Sequence, residues 1–164
     1  MQRNSATLPA FSVLPPSVSK QKHLEPNKLI RVLLVEDDPE AAELVQIGLL
    51  DDREGPFEID WSQNLFDAMS RLTSTNIDVV LLDLGLPELS GYKSYRAIEA
   101  ASRGRVPVVI FTSDERSSTR QITLQFGAAD YLLKSENSPA QLREALRNAV
   151  GNPGGPAPRT RPVA

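Results

Sequence analysis

The chain of 164 residues contains no cysteine, one histidine and one tryptophan. Without cysteine there is neither a disulfide framework nor thiolate chemistry, in keeping with a reducing, cytoplasmic setting. His23 has no candidate partner nearby and reads as a solvated tail residue rather than a ligand. No apolar run approaches the roughly 20 residues that a membrane span requires, so no membrane partner is expected. The N-terminal stretch has no signal-peptide core, because "LPAFSVLPP" is short and broken by prolines.

Charge is present but unevenly spread. The overall net charge of −3 conceals a central stretch, residues 29–150, at −8, flanked by +3 in residues 1–28 and +2 in residues 151–164. Binding to nucleic acid rests on neutralising phosphates with Lys and Arg, so an acidic domain is not expected to bind DNA directly. Most of these carboxylates read simply as solubilising surface.

Eight of the 13 prolines fall in the first 28 and last 14 residues, where no hydrophobic period is sustained, so both ends read as flexible tails. Between them, strand-like runs alternate with amphipathic stretches. "LIRVLLV" (29–35), "FEIDW" (57–61), "DVVLLD" (78–83), "VPVVIFT" (106–112) and "DYLLK" (130–134) are each followed by a helical pattern. Five strand–helix repeats imply an α/β fold, a doubly wound parallel sheet with helices on both faces. Four of the runs are continuously apolar, as strands buried on both faces are; the second alternates, as a half-open edge strand does. Asp38-Pro39 and Ser138-Pro139 each place an N-cap before a proline at the first helical position, and Gly127 follows the fourth helix as a left-handed C-cap.

Open parallel sheets bind ligands beyond the carboxyl ends of their strands. Here four of those ends are polar: Glu36-Asp37-Asp38 after the first, Asp83 after the third, Thr112-Ser113 after the fourth and Lys134 after the fifth. Any one alone is an ordinary wet strand end. Together, Glu36, Asp37 and Asp83 are three like charges in close quarters, an arrangement that a hard divalent cation relieves. Mg²⁺ favours carboxylate oxygens and retained water. With that cation and Lys134 the cluster is neutral, and a phosphoryl group on Asp83 leaves a small negative excess for the Thr112 hydroxyl and nearby N–H groups to meet. The set suits covalent acceptance of a phosphoryl group on a carboxylate.

"VLLVEDDP", "DVVLLDLGLPELSG", "VPVVIFTS" and "GAADYLLKS" occur in the order and spacing of two-component response regulators, and residues 29–150 resemble their receiver domain. The resemblance implies a flavodoxin-like five-stranded sheet of order 2-1-3-4-5. It implies Asp83 as phosphoacceptor, with Mg²⁺ held by Glu36, Asp37, Asp83 and the Gly85 carbonyl. Lys134 contacts the phosphoryl group, Thr112 is the switch hydroxyl, and Tyr131 turns from an outward to an inward rotamer. On the residues alone Tyr131 reads as a half-buried edge aromatic. Implied partners are a histidine kinase or phosphotransfer protein, a downstream protein target, and a second copy through the fourth helix, fifth strand and fifth helix. The activity is that of a cytoplasmic signalling domain catalysing its own phosphorylation and dephosphorylation, not of an enzyme with a separate substrate.

Three departures stand out. Ser135 follows Lys134 where the family often has proline, which predicts a looser loop. Glu36 replaces the commoner aspartate and lengthens its reach. Gly85 offers no side chain to shield the phosphoryl group, whereas Ser113 leaves a route for the donor. A dehalogenase-type phosphatase wants an acid at the place of Gly85. A flavodoxin-like or nucleotide-binding protein wants a Gly-rich loop where Glu36-Asp37-Asp38-Pro39 stands. A receiver-like interaction module with little phosphotransfer, and a receiver cut from a hybrid kinase or cyclic-dinucleotide protein, stay open as alternatives. Trp61, on the second strand, is not expected to lie beside Asp83.

Overall fold

The computed structural model describes residues 28–50 and 55–151. The tails expected at 1–28 and 151–164, with His23, lie outside the described residues except for Lys28 and Gly151. The elements run β1 (Ile30–Val35), α1 (Pro39–Leu50), β2 (Phe57–Ser62), α2 (Leu65–Ser74), β3 (Val79–Leu82), α3 (Tyr92–Ser102), β4 (Val108–Thr112), α4 (Ser117–Gln125), β5 (Asp130–Leu133) and α5 (Pro139–Gly151). All neighbouring strands pair in parallel, in the order β2-β1-β3-β4-β5. Among the described residues no helix is long and apolar enough to cross a membrane.

Period-two alternation sorts the strand side chains into two cores, one on each face. Ile30, Val32 and Leu34 of β1 join Leu81, Val109 and Leu132 beneath α1 and α5. Leu33 and Val35 point the other way, with Val80, Leu82 and Ile110, beneath α2 and α3. Such strands read as continuous Val/Ile/Leu because both of their faces are covered. β2 is buried only at its ends, as an edge strand should be.

The expected caps are present. Asp38 Oδ1 accepts the Glu40 N–H at 2.9 Å, ahead of Pro39. At α5 the cap is reciprocal: Ser138 N–H donates to Gln141 Oε1 at 2.8 Å, and Gln141 N–H donates to Ser138 Oγ at 3.4 Å. Gly127, at φ 103°, ends α4; its N–H reaches the Leu124 carbonyl at 3.0 Å, and the Ala128 N–H reaches that of Thr123 at 3.2 Å.

β3 and β5 each end one residue inside their sequence runs, so Asp83 and Lys134 stand just beyond them. The sheet therefore delivers them to one edge without tying up their side chains in a core. Gly127→Ala is expected to cost about 1 kcal/mol, because a left-handed φ is strained for any Cβ-bearing residue. The new methyl would also sit 3.5 Å from the Tyr95 hydroxyl. A urea midpoint unchanged by this substitution would contradict the capping role.

Candidate functional site

Three strand ends build the centre of the site. Glu36 follows β1, its N–H still bonds the Ser62 carbonyl at 3.1 Å, and it is only 2% exposed. Asp83 follows β3, is 8% exposed, and its N–H is held by the Val35 carbonyl at 3.0 Å. Lys134 follows β5, its N–H held by the Thr112 carbonyl at 2.9 Å. Backbone hydrogen bonds to neighbouring strands thus fix the origin of each functional side chain.

The side chains converge. Lys134 Nζ donates to Glu36 Oε2 at 2.6 Å and to Asp83 Oδ2 at 2.8 Å. The other Asp83 oxygen, Oδ1, accepts the Gly85 N–H at 3.0 Å. The Glu36–Lys134 pair was not foreseen from the sequence. It arises because glutamate, one methylene longer than aspartate, crosses the cluster to the lysine. Glu36, Asp37 and Asp83 each offer a carboxylate oxygen, all within 4.8 Å of one another. Asp37, unlike the other two, is exposed.

The two buried acids respond differently to their setting. Burial pushes the Glu36 carboxyl up, aided by the charge of Asp83 and resisted by Lys134. Burial pushes Asp83 up as well, but Lys134, the Gly85 N–H and the Thr112 hydroxyl together overcome it and leave Asp83 below its usual range. Lys134 pays a desolvation cost of its own, outweighed by the two carboxylates, so it stays protonated well above neutrality.

The loop after β3 is clamped by alternation. Leu84 and Leu86 are each 3% exposed and enter the core, so Gly85 between them faces outward. A Cβ at position 85 would stand 3.4 Å from Asp83 Oδ2, so glycine keeps the carboxylate open. After Lys134 the chain is not loose. The Leu133 carbonyl accepts the N–H groups of Glu136 and Asn137, both at 3.2 Å, and the Asn137 Nδ2 group at 2.9 Å. Asn137 thus supplies the restraint that the sequence reading tied to proline. A side-chain amide three residues on carries no signal that would single it out.

Thr112, at 1% exposure, faces this edge, and Ser113 beside it is exposed. Tyr131 corrects an expectation: it is 1% exposed, not half-buried. It alternates onto the α3 face with Ile110, and its hydroxyl donates to the Asp114 carbonyl at 2.8 Å. The loop carrying Asp114 and the Arg120 guanidinium, 5.6 Å from the ring centre, cover it although β5 is an edge strand. Arg116 grips the Asp114 carboxylate in a bidentate pair at 2.8 and 2.7 Å, holding that carboxyl down at about 2. Asp114 was missed in the sequence because its contribution to Tyr131 is a backbone carbonyl. Trp61 lies on β2 as expected, and its indole Nε1–H donates to the Glu36 carbonyl at 2.9 Å, a contact the sequence did not reveal.

Comparisons with known proteins bear on the family and the fold. Residues 32–147 match the response regulator receiver domain family, to which the chain therefore belongs. Among curated relatives, transcriptional regulatory protein QseB of Haemophilus influenzae is 38% identical over 125 residues, covering 74% of this chain and 55% of that protein. The cell cycle response regulator CtrA of Brucella ovis is 31% identical over 126 residues, covering 75% and 53%. The chain spans about half the length of these relatives. A two-component response regulator of the LuxR family from Aurantimonas shares the fold with TM-score 0.68 at 24% identity, over 80% of this chain and 91% of that one.

Burial raises the Tyr95 and Tyr131 hydroxyls from 10.0 to about 12. The folded state therefore favours neutral tyrosine. The corresponding stability is complete below pH 10, where the unfolded chain is also neutral, and is lost as pH rises through 12. Urea unfolding followed between pH 9 and 12 should show this decline, and Tyr131→Phe should make it shallower. An identical slope in the variant would place Tyr131 in water.

Proposed function

We propose that the domain accepts a phosphoryl group on Asp83 from a histidine kinase or phosphotransfer protein, in a Mg²⁺-dependent reaction, and so controls the binding of a downstream protein. The observation that carries this reading is one open carboxylate gripped by one lysine at the centre of three acids. The donor set fits the metal: the acids offer hard oxygens within reach of one another, and a divalent cation is what their mutual repulsion calls for. Glu36, Asp37, Asp83 and the Gly85 carbonyl would hold it. When bound, it offsets the charge of both the acceptor and the incoming phosphoryl group.

In the transfer, an Asp83 oxygen forms a bond to phosphorus as the bond from phosphorus to the donor's imidazole nitrogen breaks, and the imidazole leaves with that electron pair. Lys134, already charged and bonded to the acceptor, stabilises the phosphoryl oxygens and needs no proton change. The Gly85 N–H holds the carboxylate in orientation, and the exposed side of Gly85 and Ser113 admits the donor. This is catalysis by positioning and charge neutralisation. Thr112 then hydrogen-bonds the phosphoryl group. This contact biases Tyr131 toward its packed position and sets the surface formed by α4, β5 and α5, which a target protein or second copy reads. Such a domain works in the cytoplasm.

The donor docks along α1, where Leu44 and Ile47 are 71% and 58% exposed. Leu44 borders a cavity of about 200 Å³ lined also by Pro139, Leu142 and Lys134. A partner helix seated there brings its histidine to the edge that carries Asp83.

Incubation with acetyl phosphate and Mg²⁺ should label the protein once, with a bond labile to hydroxylamine, and Asp83→Asn should abolish the label without unfolding the domain. Asp37→Asn should slow labelling by weakening the metal. Leu44→Glu should slow transfer from a histidine phosphotransfer protein about tenfold while leaving acetyl phosphate labelling unchanged, since only the former uses the docking surface. Stable label on serine or threonine would refute the assignment of Asp83.

A further inference from the structure

Trp61 stands on the edge strand, two elements away from Asp83 in chain order, yet it touches the acidic cluster through the backbone. The β1–β2 register places Trp61 opposite Leu34 and ends one pair later, at Val35 and Ser62. One ladder bond continues beyond it, from the Glu36 N–H to the Ser62 carbonyl at 3.1 Å. β2 stops at Ser62, and the indole of Trp61 supplies the donor that a longer strand would have given, at 2.9 Å to the Glu36 carbonyl. A strand-end carbonyl beside a buried carboxylate needs such a partner.

The consequence falls on the peptide linking Glu36 to Asp37. Its carbonyl is held by the indole, while Glu36 Oε1 accepts the Asp38 N–H at 3.3 Å, closing a short turn over the same residues. With that peptide plane fixed, Glu36 points inward to Lys134 while Asp37 stays exposed, and both still offer oxygens near Asp83. The rest of the indole packs against the core under α1 and α5, which anchors the donor. A phenylalanine would keep most of that packing and lose only the N–H.

We infer that Trp61 is a positioning residue for the metal-binding acids, fixing the Glu36–Asp37 peptide through its indole N–H. The inference rests on the proposed Mg²⁺ site and names a residue outside it on which its affinity depends. Outer-shell hydrogen bonds of this kind commonly tune metal affinity by tenfold or more.

The test is Mg²⁺ titration of the full chain, followed by the amide signals of Asp37 and Asp38, in wild type, Trp61→Phe, Ile59→Ala and Asp37→Asn. Ile59 packs against the same core on the same strand, so its truncation controls for lost packing. Trp61→Phe should weaken Mg²⁺ about tenfold and shift both amide signals before any metal is added. Its unfolding midpoint in chelator should be no lower than that of Ile59→Ala, which should bind Mg²⁺ like wild type. If Trp61→Phe does not fold, 3-benzothienylalanine at position 61, which keeps the shape of the indole and lacks the N–H, takes its place with the same expectation. Wild-type affinity in the variant lacking the N–H, alongside lost binding in Asp37→Asn, overturns the role of Trp61 and leaves the metal site standing. Equal Mg²⁺ responses in wild type and Asp37→Asn overturn both.

Discussion

Lys134 Nζ lies between two carboxylates that the fold takes out of water, 2.6 Å from Glu36 and 2.8 Å from Asp83. Buried carboxylates this close repel each other and each pays a desolvation cost, so neither stays ionised without a nearby cation. The side chains of Glu36 and Asp83 are 2% and 10% exposed, and that of Lys134 is 21% exposed. The lysine therefore supplies the attraction that keeps Asp83 ionised, while keeping enough contact with solvent to bear its own charge. Much of the surrounding architecture serves to keep these three groups in register.

The parallel sheet does this through its strand ends. β1, β3 and β5 are not all neighbours, yet the order β2-β1-β3-β4-β5 brings their carboxyl ends to one edge. Each functional residue stands one position past its strand, where the backbone is still held but the side chain is free. Leu84 and Leu86 pin the loop that orients Asp83, and the Leu133 carbonyl gathers the loop after Lys134. On the far side of β4 and β5, Tyr131 ties the β4–α4 loop to the sheet through the Asp114 carbonyl. Thr112 joins the same loop, its hydroxyl accepting the Asp114 N–H at 3.3 Å.

Much of this was legible in the residues. Continuous Val/Ile/Leu runs announced doubly covered strands, and the alternation of "FEIDW" announced the edge. The caps at Asp38, Ser138 and Gly127 followed from local backbone chemistry and are present. The convergence of Glu36, Asp37, Asp83 and Lys134 followed from topology, because in a parallel sheet the order of strand and helix already decides which ends meet. What escaped the sequence depends on side-chain reach and on backbone acceptors. The Glu36–Lys134 pair, the indole of Trp61 on a carbonyl, the Asn137 amide and the Tyr131–Asp114 bond all join residues through distances or groups that carry no pattern. Tyr131 was misjudged because strand position alone does not reveal what a neighbouring loop will cover.

The dependence on Lys134 is most directly tested by a double-mutant cycle of Lys134→Met and Asp83→Asn, measured by urea unfolding in chelator at neutral pH. Lys134→Met alone should cost about 3 kcal/mol, because it leaves two buried carboxylates without a counter-ion. Adding Asp83→Asn should restore part of that loss, giving a coupling energy of about 1–3 kcal/mol, and lowering the pH should stabilise the single variant relative to wild type by protonating the stranded acids. A loss below about 0.5 kcal/mol for Lys134→Met, with additive effects in the double variant, would contradict the central place given to the lysine.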